Sequence, residues 1–448
     1  MRSGSLLRSL ARRGHSIALA AALVAAGGVT AFAQSQPPIT IAINQSPWLD
    51  SFVKVVDLYA ERTGNQVKLD VTPFGGLLEK IRNSVRAGEG TYDIVNVNSL
   101  WLAEIYSGGF LTPLGNLKEG YTLANGVLNY GHTTNWSSEL GTFAEDGALM
   151  GVPLNGNVQV LYYNQDVYAQ LGLKVPTTWE QLHANASAIQ KSGAGYGFVP
   201  RAARNSIVYN FTPYLFSQDG AFFKVTGPKK AEVTLNSPQG LAALDTYLKL
   251  SGKDAAPPSA GAIAQGELIQ LLSTGRAAQA IAVIAAWGAL ENPQESRVVG
   301  KMSAALIPAG PKGTVASSAG HWVAGIPKNV PTERQKAAFA FLDWFQGREV
   351  QVTYVRAGGV PVRGDLAGTD LGNEAAYRFL DAYSQNAAKA VMGLPFAHAV
   401  EASDAMALSL NRAVIGEMTA AEALNKAADD LAGILERNGY AVARLPKL

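Results

Sequence analysis

The sequence predicts an α/β protein built from more than one lobe, and three observations lead to that class. Short apolar strands alternate with amphipathic helices along most of the chain. A length of 448 residues exceeds what one hydrophobic core fills at about 150 residues per domain. Apolar residues at 48% against charged residues at 16% exclude a disordered chain.

The elements follow in order from Pro37. Ile39 to Ile43 is a short apolar strand, and a helix carrying Phe52, Val55, Val56 and Tyr59 on one face follows it. Val67 to Val71 alternates with period two, and the next helix aligns Leu77, Leu78, Ile81 and Val85. Asp93 to Val97 is a third strand, leading into a helix around Trp101 to Tyr106 that closes at Gly108-Gly109. This βαβαβα run predicts a mostly parallel sheet covered by helices. Gly151 to Leu154 precedes a strand at Val158 to Tyr163, and Thr177 or Thr178 is the N-cap of a helix opening at Trp179. Alternation continues through Tyr196 to Val199, a helix from Pro238 to Leu250, an apolar strand at Ala280 to Ile284 and a last short strand at Val323 to Ile326. The remainder reads as helical, with Ala337, Ala338, Phe341, Leu342 and Phe345 on one face and Leu424, Ala428, Leu431 and Leu435 on another.

The N-terminus reads as a secretory signal peptide. A basic stretch ending at Arg13 runs into the apolar segment Ile17 to Ala26, then the small-residue signature Ala31-Phe32-Ala33. The apolar segment is shorter than the ~20 residues a spanning helix needs, so cleavage after Ala33 and export to the periplasm are expected. Whether export is general or twin-arginine stays open, because Arg12-Arg13 lacks an apolar follow-up. The formal charge of +2 becomes −2 without this segment, which carries four arginines and no acid. No basic excess remains to hold nucleic acid or anionic lipid. The chain contains no cysteine, hence neither disulfides nor a thiol for a lipid anchor, and a soluble monomer is expected.

Motifs for common chemistries are missing. None of the five histidines opens an H-E-x-x-H helix, and there is no G-x-S-x-G elbow, P-loop or strand-linked G-x-G-x-x-G. No metal, cofactor or catalytic residue is predicted. Carboxylate pairs have no fixed spacing, so a glycosidase is not excluded this way. Tyr162 and Tyr163 are adjacent on a strand and point to opposite faces, which argues against a paired phenol site.

Aromatic and amide residues sit instead at strand ends. In open α/β sheets ligands bind outside the carboxyl ends of strands, and those positions carry Asn44, Trp48, Phe74, Asn98, Trp101, Trp287 and Trp322. Such a set suits a neutral polyhydroxylated ligand, whose C–H face packs on rings while amides bond its hydroxyls. Each Trp taken singly has a core-anchoring alternative. Trp322, in the loop Gly320-His321-Trp322, is preferred as a ligand contact, then Trp287; Trp179 and Trp344 read as core.

Several motifs in order resemble the extracellular solute-binding proteins of sugar ABC importers, family 1, the maltose-binding-protein-like group. They are Phe74 to Ser84 with Tyr92-Asp93-Ile94-Val95, Leu102 to Leu111, Gly151-Val152-Pro153 with Leu161 to Asn164, and Pro176-Thr177-Thr178-Trp179. Gly275 through Trp287, Ala319 to Trp322, Gly358 to Arg363 and Gly416 to Leu424 complete the pattern, with Gln279 and His321 as departures from it. The resemblance implies the two-lobed type II periplasmic binding protein fold, two discontinuous α/β lobes joined by a multi-strand hinge with the ligand between them. Residues 34–150 plus 281–325 would form one lobe and 151–280 plus 326–448 the other. Chain crossings would fall near Gly151 to Gln159, Ala280 to Ile284 and Trp322 to Pro327. The implied function is capture of a sugar or polyol by cleft closure and delivery to a membrane permease, with no catalysis by this chain. Carried over by position, the implied contacts are Asn98, Trp101, Asn155, Asn157, Trp287, His321, Trp322, Gly359 and Arg363; Trp48 and Phe74 rest on strand-end position alone. Arg204 would clamp a hydroxyl pair or an acidic sugar, or else is a surface arginine. An exported glycosidase and a receptor for a non-sugar solute are the alternatives, and the identity of the ligand is not written in the sequence.

Overall fold

The computed structural model describes residues 36–448; the expected signal segment, residues 1–33, lies outside them. Two lobes are each organised by a sheet. In the first lobe, β1 (Ile39–Asn44), α1 (Leu49–Thr63), β2 (Val67–Thr72), α2 (Phe74–Arg86) and β3 (Ile94–Asn98) form the parallel unit the alternation predicts. β4 (Val152–Asn155) lies at the far edge of this sheet. The second lobe begins with β5 (Gln159–Asn164), α3 (Trp179–Ser192) and α4 (Ile207–Ser217). β6 (Gln279–Val283) and β7 (Met302–Ala305) flank β5, both antiparallel to it. β8 (Ser317–Ser318) is the last strand before the chain returns to the first lobe as β9 (Trp322–Gly325), which pairs antiparallel with both β3 and β4. The first sheet thus has the order β2-β1-β3-β9-β4.

Strand periodicity builds the second lobe as three layers. Leu161 faces Ile281 across the β5–β6 ladder, and both join a core with Trp179, Phe211 and Leu244. Their neighbours Val160, Tyr162, Ala280 and Ala282 point the other way, into a core with Leu268, Leu290 and Phe379. Tyr162 donates from its hydroxyl to the carbonyls of Val283 and Ile284, while Tyr163 lies on the opposite face against Tyr168.

The helical remainder divides between the lobes. α5 (Thr332–Phe345) and α6 (Arg348–Arg356) pack on the first sheet, where Phe341 and Phe345 meet Phe52 of α1. α7 (Ala399–Val414) and α8 (Ala420–Arg437) form a hairpin on the second lobe. Thr419 and Glu422 close a capping box at the start of α8, and Leu424, Ala428, Leu431 and Leu435 are all buried. Among the described residues no helix is long and apolar enough to cross a membrane.

This packing corrects the lobe boundaries expected from the sequence. Residues 281–318 do not leave the second lobe, because β6 is paired along its whole length with β5. No crossing occurs at Ala280 to Ile284. Residues 326–354 belong with the first lobe, since Ile326, Ala338, Leu342 and Tyr354 lie in its core. The chain crosses instead between β4 and β5, between β8 and β9, and after α6, where Val362 belongs to the first core and Leu366 to the second lobe.

The crossings meet at Gly156. A methyl group there would overlap the carbonyl oxygen of Pro361, on the third crossing, and the hydroxyls of Tyr130 and Tyr383. Tyr383 donates to that carbonyl and, its one proton being used, accepts from Tyr130 at 2.7 Å. His321, on the second crossing, stacks on Tyr130 with ring centroids 4.5 Å apart and planes 17° apart. Its Nε2 lies 2.7 Å from Thr133 Oγ1, and burial depresses its pKa from 6.5 to about 3.

Two outcomes are expected. Gly156→Ala should lower stability by at least ~1–3 kcal/mol in denaturant unfolding, since the backbone of Pro361 must move to admit the methyl group. His321 has a folded-state pKa below its unfolded value, so between about 6.5 and 3 the unfolded state binds the extra proton. Its contribution is complete above pH 6.5 and falls as the solution is acidified through that window. His321→Gln should flatten the decline by up to about 1.4 kcal/mol per pH unit; equal slopes in both proteins would contradict a neutral buried imidazole.

Candidate functional site

The first lobe presents the carboxyl ends of β1 and β3 to the gap between the lobes. A cavity of ≈ 510 Å³ lies there and is lined from both sides. On the first-lobe wall, Trp48 follows β1, Phe74 opens α2, and Trp322 opens β9. These rings form one cluster. Trp322 lies 6.2 Å from Trp48, 6.1 Å from Phe74 and 5.6 Å from Trp101. Trp101 sits behind the wall, 3% exposed and 4.7 Å from Phe74, whereas Phe74 is 47% exposed and projects from it. A buried tryptophan layer thereby holds an accessible aromatic edge in place.

Polar groups surround the wall. Asn44, Gln45 and Ser46 follow β1 into the cavity, and the Oδ1 of Asn44 is buried without a partner. Asn98 lines the cavity, but its Oδ1 already accepts from the Leu100 amide at 3.1 Å and caps the turn after β3. Asn157 lines it as well, with Oδ1 accepting from the Ala285 amide at 3.2 Å. Gly320 approaches Tyr209 of α4 so closely that a methyl there would overlap the phenol. The Tyr209 hydroxyl donates to the Ser318 carbonyl at 3.3 Å.

The other residues expected at the site lie elsewhere. Asn155 is fully buried beneath the cavity, its Oδ1 accepting from the Asn157 amide. His321 turns into the crossing junction instead of the cleft. Trp287 belongs to the core of the second lobe: its indole donates to the Ala376 carbonyl at 2.9 Å, it stacks on Tyr162, and the Arg378 guanidinium covers its ring. Gly359 packs on the Tyr354 ring. Arg363 is a strut, donating to the carbonyls of Asn125 and Gln346 and to Asp365, whose carboxyl it holds below the usual carboxylate range. Arg204 is exposed and is not among the cavity-lining residues. In its place, three residues earlier, Arg201 lines the cavity, with its guanidinium 5.8 Å from the Tyr209 ring.

Sequence reasoning also missed Ser206, Tyr209, Gln265, Ser318 and Met392 on the second-lobe wall. They are single polar or flexible residues spread over two helices, a short strand and loops, and no spacing links them. The sequence reading singled out Arg204 alone, and nothing in a loop sequence tells which of Arg201 and Arg204 turns inward. Asp and Glu are absent from the described residues that line the cavity.

The chain is 24% identical over 271 residues to a putative binding protein of Brucella abortus, a match covering 60% of this chain and 61% of that protein. It therefore spans about three-fifths of that relative's length. Among solved structures, a maltose-bound protein of T. maritima shares the fold with a TM-score of 0.73 at 23% identity, covering 89% of this chain and 99% of the other. A ribitol complex of an ABC transporter solute-binding protein from Agrobacterium radiobacter gives 0.72 at 22% identity, covering 89% and 99%. The sequence pattern of the bacterial extracellular solute-binding proteins runs through residues 45–352, from the loop that builds the aromatic wall to the helices that complete the first lobe. The chain belongs to that family.

Proposed function

We propose that this protein is the exported receptor of an ABC importer, holding a polyhydroxylated solute of the sugar or polyol class between its lobes and delivering it to a membrane permease. The observation that carries this is the facing of the Trp48, Phe74 and Trp322 wall against amide and hydroxyl groups across one interlobe cavity. A ring stacks on the C–H face of a sugar or polyol, and the amides take its hydroxyls. The cavity volume falls within the ~300–1,000 Å³ of small-molecule sites. Maltose and ribitol bound by proteins of this fold are of the same chemical class. Export rests on the signal-like residues 1–33, with cleavage after Ala33 into the periplasm.

No catalysis is assigned to this chain. A glycosidase needs two carboxyl groups flanking the scissile bond, and the described cavity-lining residues supply none. Transport energy would come from a separate ATP-hydrolysing subunit. Ligand acts by bridging the walls: contacts made to both lobes favour the closed state by their differential free energy.

A thermal-shift screen of sugars, polyols and sugar acids tests the reading. A ligand at 100 times its dissociation constant adds about 2.7 kcal/mol to stability, and no shift with any compound would refute the proposal. Small-angle scattering should show a smaller radius of gyration at saturating ligand; an unchanged value would sink cleft closure. Trp322→Ala should weaken binding by roughly tenfold or more through lost stacking and burial. Both indoles are buried, so each truncation should also cost ~3–5 kcal/mol of stability, and Trp287→Ala should do so with binding preserved in the folded fraction. Calorimetric titration beside denaturant unfolding separates the two, and a Trp322→Ala protein that binds normally would remove that ring from the ligand.

A further inference from the structure

We infer that the ligand carries an anionic group, a carboxylate or phosphate on a hydroxylated carbon chain, and that Arg201 receives it. This rests on the receptor reading and narrows its ligand class. Among the described residues lining the cavity, Arg201 alone bears a formal charge. The group against its guanidinium is the neutral phenol of Tyr209, with the ring centroid at 5.8 Å. Its Nε is buried and has no hydrogen-bond partner among the described residues.

An arginine with water available extends its head outward. This one is held across the Tyr209 ring on the cavity wall with an unused donor, a state that costs desolvation until an acceptor arrives. A neutral hydroxyl would satisfy the donor and leave the charge. Closing the lobes over a neutral ligand would then bury a positive charge with no counter-ion, which favours the open form. An oxyanion satisfies both.

A second feature of the same wall has the same sign. Arg201 lies six residues before α4, whose first turn contributes Val208 and Tyr209 to the cavity. Ser206, the residue at the N-cap, makes no side-chain cap bond to that turn. Its hydroxyl donates to the Ala203 carbonyl and to Asn205 Oδ1. The Ile207 amide bonds to the Ala203 carbonyl, and no side chain caps the rest of this positive end of an eleven-residue helix, whose Tyr209 ring the guanidinium covers. Arginine and helix terminus together form an anion seat opposite the aromatic wall.

The test is calorimetric titration with matched probes: ribitol against ribonate, and sorbitol against gluconate and sorbitol 6-phosphate, at low and at 150 mM salt. At least one anion should bind tenfold or more tightly than its neutral counterpart, and whether that anion is a carboxylate or a phosphate identifies the group. Arg201→Gln should cost the anion ~10–150-fold, the range for one hydrogen bond to a charged group, and should cost the neutral polyols several-fold less than that. Arg201→Lys, which keeps the charge without the fork, should retain intermediate affinity and guards against a misfolded glutamine variant. Neutral polyols binding as tightly as the anions, or Arg201→Gln binding the anion like the wild type, would overturn the inference and leave the receptor reading standing. Failure of every probe to bind would overturn both.

Discussion

The contact of three chain crossings around Gly156 is the constraint on which the remaining architecture depends. The first crossing can lie against the Pro361 carbonyl only because residue 156 has no side chain. The same space admits the Tyr130 and Tyr383 hydroxyls, Tyr130 donating to Tyr383 and Tyr383 to that carbonyl. His321 completes the junction as a stacked, neutral ring. With the crossings locked together at one edge, the strand ends that carry the aromatic wall open on the gap beside it.

The two walls of that gap are chemically unlike. The first lobe offers rings backed by a buried tryptophan layer, with Oδ1 of Asn44 left without a partner among the described residues. The second offers α4, whose N-terminus has no side-chain cap, with Tyr209 and an arginine whose Nε has no partner among the described residues. Under the proposed reading, a ligand with an apolar face, hydroxyls and a charge is satisfied by neither wall alone, and contacts made to both walls are what would let it shift an equilibrium between open and closed forms. Asn98 and Asn157 show how the polar part is held rigid: each spends its carbonyl oxygen on a backbone amide, which fixes the side chain and leaves its NH₂ for other use.

The sequence by itself determined the class of fold, the order of its elements and the aromatic wall of the cavity. Alternation with period two and period 3.6 is a local property, so Ile39 to Ile43, Val67 to Val71 and the helix faces at Leu77 to Val85 and Leu424 to Leu435 were legible without any partner. Trp48, Phe74 and Trp322 were legible because the rule placing ligands at strand ends needs only the strands. Tertiary structure alone decided which sheet a strand joins. An apolar run such as Ala280 to Ile284 suits either lobe, and pairing with β5 settles it. The same non-locality separates Trp287, covered by Phe379 and Arg378, from Trp322, and turns Arg201 inward while Arg204 meets water. Side-chain direction in a loop follows from what packs against it, and for Trp287 and Trp322 those neighbours arrive from segments distant along the chain.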